Sequence, residues 1–179
     1  MYNYRKSINM KKSIVLIISL FWLQTYSQAD IFKIARSGKV AELKSIIAEN
    51  PNAINSVNEQ GSTPLILACY HNNEAVAFEL IAKGAKINEK IEMGTALMAA
   101  VVKGNVSIAE KLLENGANPD LKDGNQSTAL IYATLFKNVE IIKLLLKYRA
   151  DKNVKDSRNF SALDYAKLSN EKEIIQLLN

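Results

Sequence analysis

The chain has little of what catalysis or covalent cross-linking requires. Its 179 residues include one cysteine, Cys69, and one histidine, His71. A lone cysteine excludes an intramolecular disulfide, and none stands where a lipoprotein leader would need one. Metal centres and nucleophilic sites need clustered His, Cys and carboxylate groups. Two residues apart on a helix, Cys69 and His71 point in different directions. Cys69 reads as a small core residue and His71 as a surface one. Phosphate-cradling glycine patterns are also absent. Glu110, Glu114 and Glu140 fall on outward faces of amphipathic stretches, where solvation is the default. The expectation is a non-enzyme with no catalytic residue, no cofactor and no metal.

Charge excludes a second class. The chain has 23 basic and 18 acidic residues, a formal +5. Four of the basic residues, Arg5, Lys6, Lys11 and Lys12, lie in residues 1–29, which contain no acid. The remainder is close to neutral. Nucleic-acid binding needs a clustered basic surface, so no nucleic-acid partner is expected.

The early positive charge belongs to a leader. Lys11 and Lys12 precede an apolar run from Ile14 to Leu23, which a polar segment with small residues then ends. That is the layout of a secretory signal peptide. The run is about half of the roughly 20 residues that span a bilayer, so no stable membrane span is expected once the signal is cleaved. Residues 1–29 are read as the signal, with cleavage before Asp30 or, by a second small-residue pair, before Gln28. Met10 followed by two lysines would itself make a start, so residues 1–9 read as a mis-assigned extension. The alternative is an uncleaved anchor that tethers an envelope scaffold.

Beyond the leader the chain repeats itself. Thr63-Pro64-Leu65-Ile66-Leu67-Ala68 returns, degraded, at Thr95, Thr128 and Ser161, in steps of 32, 33 and 33 residues. Gly84-Ala85-Lys86-Ile87-Asn88 returns in the same phase at Gly116 and, with arginine leading, at Arg149. Two phase-locked phrases at one period indicate stacked units. Thr63 is a helix cap with Pro64 in the first turn, where its missing N–H is harmless. Ala68, Ala100, Ala133 and Ala166 mark where neighbouring inner helices approach closely. The pairs Leu80-Ile81, Leu112-Leu113, Leu145-Leu146 and Leu177-Leu178 mark a second, outer helix. Gly84 and Gly116 stop it with a left-handed residue.

These phrases resemble the ankyrin repeat: a Thr-Pro-Leu-His turn, a small-residue inner helix, an outer helix ending in Leu-Leu, then Gly-Ala-Asp/Asn. The resemblance covers residues 30–179 and implies an all-α solenoid of about five helix-turn-helix units with hairpin fingers. The units read as 30–57, 58–89, 90–122, 123–155 and 156–179, the first and last acting as caps. Three departures stand out. Ile66, Met98, Ile131 and Asp164 replace the family's histidine and its inter-repeat hydrogen bonds. Arg149 replaces a glycine and should strain its turn or force a different cap. The link from Asn88 to Thr95 is one residue shorter than the others, so that finger should sit differently.

What the resemblance implies about function is a protein partner held in a concave groove, by a chain that is usually a monomer. The groove would be lined by the inner-helix ends Tyr70-His71, Val102-Lys103, Leu135-Phe136 and Leu168-Ser169. Finger positions Glu59, Gln60, Ile91, Glu92, Asn125 and Arg158 would add to it. The first residue of each helix-end pair is apolar, and an apolar column in a polar rim suits protein binding. Tyr70, Val102, Leu135 and Phe136 are the expected hot region, with packing against adjacent helices as the competing role for Val102 and Leu168. With its leader, the chain reads as an exported bacterial protein, periplasmic or secreted. Toxin neutralisation and stress protection are among the roles open to such a protein. The leader makes a direct prediction: terminal sequencing of the protein recovered from its native compartment should begin at Gln28 or Asp30. An intact leader on the recovered protein would favour the tethered scaffold.

Overall fold

The computed structural model describes residues 31–179; the expected leader and its cleavage sites lie outside the described residues. Helices alternate in antiparallel pairs. Helix α1 (residues 31–37) is followed by α2 (Val40–Glu49) and a single 3-10 turn, Pro51–Asn55. Helices α3 (Pro64–Tyr70) and α4 (Glu74–Ala82) form the next pair, then α5 (Ala96–Val102) and α6 (Val106–Glu114). Helices α7 (Ala129–Leu135) and α8 (Val139–Lys147) follow, and α9 (Ala162–Leu168) with α10 (Lys172–Leu178) closes the stack. Neighbouring inner helices pack on one another: α3 on α5, α5 on α7 and α7 on α9.

Each short inner helix starts at a hydroxyl. Thr63, Thr95, Thr128 and Ser161 accept from the backbone N–H of Ile66, Met98, Ile131 and Asp164. The cap satisfies one of the four N–H groups that a helix start leaves free. At Ser161 the Asp164 carboxylate returns the bond at 2.8 Å, completing a capping box. The four alanines expected at close approach, Ala68, Ala100, Ala133 and Ala166, are fully buried. Beside them lie Leu65, Leu97 and Leu130, also out of solvent. Cys69 is buried in the same layer, and burial pushes its thiol pKa well up.

The stack is also sewn along its fingers' bases. Lys86 N–H donates to Asn55 Oδ1 at 2.9 Å, Asn118 N–H to Asn88 Oδ1 at 2.8 Å and Asp151 N–H to Asp120 Oδ1 at 2.8 Å. Side-chain acceptors in one unit thus take the N–H two residues beyond the glycine-position residue of the next. These ties join the units even though histidine is missing from each inner helix's first turn. At the amino-terminal end Asn73 Nδ2 donates to the carbonyls of Ile34 and Gly38, at 3.1 and 3.0 Å, fixing α1 to the second pair.

Arg149 does not change the cap; it adopts the glycine's conformation. Its φ of 61° matches the left-handed setting of Gly84 and Gly116, at 83° and 87°. The short third finger does differ. Lys90–Ile91 and Gly94–Thr95 (β1 and β2) pair antiparallel, Lys90 opposite Thr95 and Ile91 opposite Gly94. The other fingers turn instead on an acceptor five residues before the cap: Asn58, Asp123 or Asp156. Lys90 holds that place in the third finger and has no acceptor, so this turn is closed by backbone pairing alone, whereas the others carry a side-chain acceptor beside a backbone bond across the turn. Gly94 permits this with φ 112°, and a Cβ there would collide with the Met98 side chain.

Two stability predictions follow from this packing, both read by urea unfolding. Arg149→Gly should stabilise by about 1 kcal/mol, by removing a non-glycine left-handed residue. Ala133→Leu should destabilise by about 1–3 kcal/mol, because the inner helices cannot separate to admit it. Stability unchanged in either would contradict the corresponding contact.

Candidate functional site

A cavity of about 690 Å³ opens on the concave side between the second, third and fourth units. Its floor is apolar: Ile66 and Leu67 from α3, with Met98, Ala99 and Val102 from α5. Its finger side is lined by Gln60 of the second finger and by Ile91, Glu92 and Met93 of the third. Tyr70 and His71 close the helix-end side, and Arg36 reaches it from α1. Asp123, Asn125 and Tyr132 of the fourth unit complete the lining. The floor follows from the repeat. Positions three and four residues after each cap face the concave side, and here they carry Ile66-Leu67 and Met98-Ala99.

Of the expected site residues, Tyr70, His71, Val102, Gln60, Ile91, Glu92 and Asn125 come together around this cavity. Lys103 is not in its lining, but its Nζ lies 4.1 Å from the Tyr70 ring centroid, a cation–π contact. His71 meets the same ring edge-on at 5.5 Å. Tyr70 is thus held from two sides and remains 40% exposed. Glu59, Leu135, Phe136 and Arg158 are outside the lining. Leu135 and Phe136 are exposed on the next unit, 42% and 55%, and Leu168 is exposed at 69% rather than packed against a neighbouring helix. The expected hot region therefore divides: Tyr70 and Val102 are in the cavity, and Leu135 and Phe136 flank it. Arg158 stays in its own unit, over the Tyr165 ring and 3.7 Å from Asp156.

Ile66, Met98, Met93, Asp123 and Tyr132 were not among the expected site residues. Ile66 and Met98 occupy the histidine position, where an apolar side chain was itself a signal of a changed groove floor. Asp123 and Tyr132 stand nine residues apart, as Asp156 and Tyr165 do, and that spacing was visible in the repeat. In both pairs the tyrosine hydroxyl donates to the carboxylate at 2.5 Å. Burial, then the facing carboxylate, pushes the Tyr132 and Tyr165 phenols above their ordinary range. Burial alone would raise Asp156. The Tyr165 hydroxyl and the N–H groups of Phe160 and Arg158 outweigh it and hold that carboxyl below its usual range.

Chemically, an adaptable apolar floor with a polar, part-aromatic rim is suited to gripping a side chain or chain segment. No three His, Cys, Asp or Glu side chains converge into a metal-ligand group among the described residues. A family model described as "Ankyrin repeats (3 copies)" matches residues 31–123 and again 97–179. The chain belongs to the ankyrin-repeat family. It is similar to the ankyrin repeat and SAM domain-containing protein 6 of Rattus norvegicus, 37% identical over 95 residues, covering 52% of this chain and 11% of that protein. The Mus musculus protein of that description is 36% identical over a segment of the same length and the same coverage. This ankyrin chain thus spans 11% of the length of the curated relatives it matches. Ankyrin repeats are non-enzymatic modules that mediate protein–protein interaction.

The finger pairs give a pH prediction. A depressed Asp156 contributes stability that is present above the unfolded carboxyl value, near 4, and lost as pH falls through the folded value. A raised tyrosine contributes stability that is present below about pH 10 and lost as pH rises through the folded value. Tyr165→Phe should therefore reduce the stability lost on both limbs, below about pH 4 and above about pH 10, in unfolding measured across pH. Limbs as steep as in the wild type would show that the pair is not coupled in solution.

Proposed function

We propose that this chain is an exported, monomeric interaction module that captures a protein partner in its concave groove. The observation that carries the reading is the cavity at the groove's centre, where an apolar floor meets Tyr70, Ile91 and the third finger. An internal core residue at these positions would be covered, yet Tyr70 is 40% exposed and Met93 78%. Aromatic anchors beside a recess are where binding energy concentrates. Export is inferred from the leader in the sequence and is consistent with a fold that relies on no disulfide. No helix among the described residues is long and apolar enough to cross a membrane.

The partner's contact is centred on Tyr70, Ile91 and Val102, with His71, Lys103, Gln60, Glu92 and Asn125 as the polar rim. Leu135 and Phe136 extend the contact along the groove, and Glu59 and Arg158 form its outer margin. Affinity capture from the native envelope tests this directly. Tyr70→Ala/Ile91→Ala should reduce recovery of the specific partner by about tenfold or more, equivalent to roughly 1.4 kcal/mol. Phe136→Ala should reduce it less. Unchanged capture by a folded Tyr70→Ala/Ile91→Ala protein would remove the cavity from the interaction.

A further inference from the structure

The fingers differ in what holds them down. In the fourth, Asp123 accepts from the N–H of Asn125 at 2.9 Å and Ser127 at 2.8 Å, and from the Tyr132 hydroxyl on α7. In the fifth, Asp156 accepts from the N–H of Arg158 and Phe160 and from the Tyr165 hydroxyl on α9. Each of these fingers is latched to its own inner helix. Backbone bonds then join neighbours: Gly124 N–H donates to the Glu92 carbonyl at 2.8 Å, and Ser157 N–H to the Asn125 carbonyl at 2.9 Å. The fit at Gly124 is close, a Cβ there coming within 3.1 Å of the Glu92 carbonyl, while Ser157 makes the equivalent bond with its side chain in place. Fingers three, four and five form one joined seam.

The second finger has the same internal turn and neither attachment. Asn58 Oδ1 accepts from Gln60 N–H at 3.0 Å and Ser62 N–H at 2.8 Å, so the loop itself is well formed. Leu67 stands where Tyr132 and Tyr165 stand, and it cannot donate. Among the described residues no backbone hydrogen bond crosses from 57–62 to the third finger. The substitutions agree with one another: a carboxylate faces each tyrosine, and a neutral amide faces the leucine. The finger's base remains fixed through Asn55 and Lys86, and its far end through the Thr63 cap. The cavity opens at this interruption, with Gln60 on one side and Ile91, Glu92 and Met93 on the other.

We propose that residues 57–62 form a hinged flap at the edge of the groove. It opens between Asn55 and Thr63 by detaching and losing its own turn, while fingers three to five stay joined. This deepens the groove reading and rests on it for its purpose: the flap is the part that moves to admit a partner segment. Local opening is governed by the bonds that must break, and this segment lacks both the helix latch and the neighbour bond that fingers four and five must lose. Loss of one hydrogen bond changes an opening equilibrium by about fivefold, so two missing attachments predict a change of ten- to thirtyfold.

Amide hydrogen exchange on the free protein tests the flap without any partner. Ser62, Ser127 and Phe160 are equivalent probes in position, each N–H donating to the Oδ1 of the residue four before it, an amide at Asn58 and a carboxylate at Asp123 and Asp156. With rates corrected for intrinsic exchange and compared against the core amide of Leu112, Ser62 should exchange at least tenfold faster than Ser127. Tyr132→Phe should speed Ser127 by about fivefold while leaving Phe160 unchanged. Asn58→Asp/Leu67→Tyr should slow Ser62 towards the Ser127 rate. Equal protection of Ser62 and Ser127 in the wild type overturns the flap, as does a Tyr132→Phe protein in which Ser127 is unaffected. The second arm holds even where the grafted latch fails to fold. Capture by the Tyr70/Ile91 variant is read separately, so failure of the flap and failure of the groove give different results.

Discussion

The distance between neighbouring inner helices governs this molecule. Ala68, Ala100, Ala133 and Ala166 are fully buried in the inner helices, which pack directly on one another. Close approach sets the rise per unit, which brings each finger base within hydrogen-bonding reach of the next unit. The bonds from Lys86 to Asn55, Asn118 to Asn88 and Asp151 to Asp120 all depend on that spacing. Solenoids of this kind are stabilised by nearest-neighbour interfaces. An expansion at one alanine would therefore loosen both the helix layer and the fingers beside it.

The recess is built on the residues this packing leaves free. Outer helices turn their charges to solvent in exposed pairs such as Glu110 with Lys147 and Glu173 with Lys143, which contribute little to stability. Inner helices direct Ile66, Leu67, Met98, Ala99 and Val102 towards the concave side instead. A single-residue shortening of the third finger changes its turn into a hairpin. Beside that hairpin the finger seam is interrupted, and at the interruption the recess forms. Architecture and recess thus share one origin, a repeat that is regular in its helices and irregular in one finger.

Local signals carried well from sequence to structure. Hydroxyl caps, buried alanines and left-handed glycines each depend on a few neighbouring residues, so their pattern was enough to find them. Arg149 was recognised as out of place, and it keeps the glycine conformation because the surrounding unit dictates it. The groove was only partly readable. Tyr70, His71, Val102 and Ile91 were found by counting along the period, whereas Leu135 and Phe136 lie beyond the recess. Counting assigns equivalent positions and says nothing of where the stack leaves a space. That depends on side-chain volumes from three units at once, Met98 and Tyr132 among them. The Asp–Tyr pairs needed a different reading, of two residues nine apart that change together.

The claim at the centre is that a protein partner is held against the recess beside the third finger. A photo-reactive benzoylphenylalanine in place of Ile91, with a matched one in place of Glu110 on an outer helix, tests it most directly in the native compartment. Irradiation should join the partner covalently at position 91 and leave position 110 without an adduct. An adduct at 110 with none at 91 would place the interaction on the opposite face and contradict a groove-centred module.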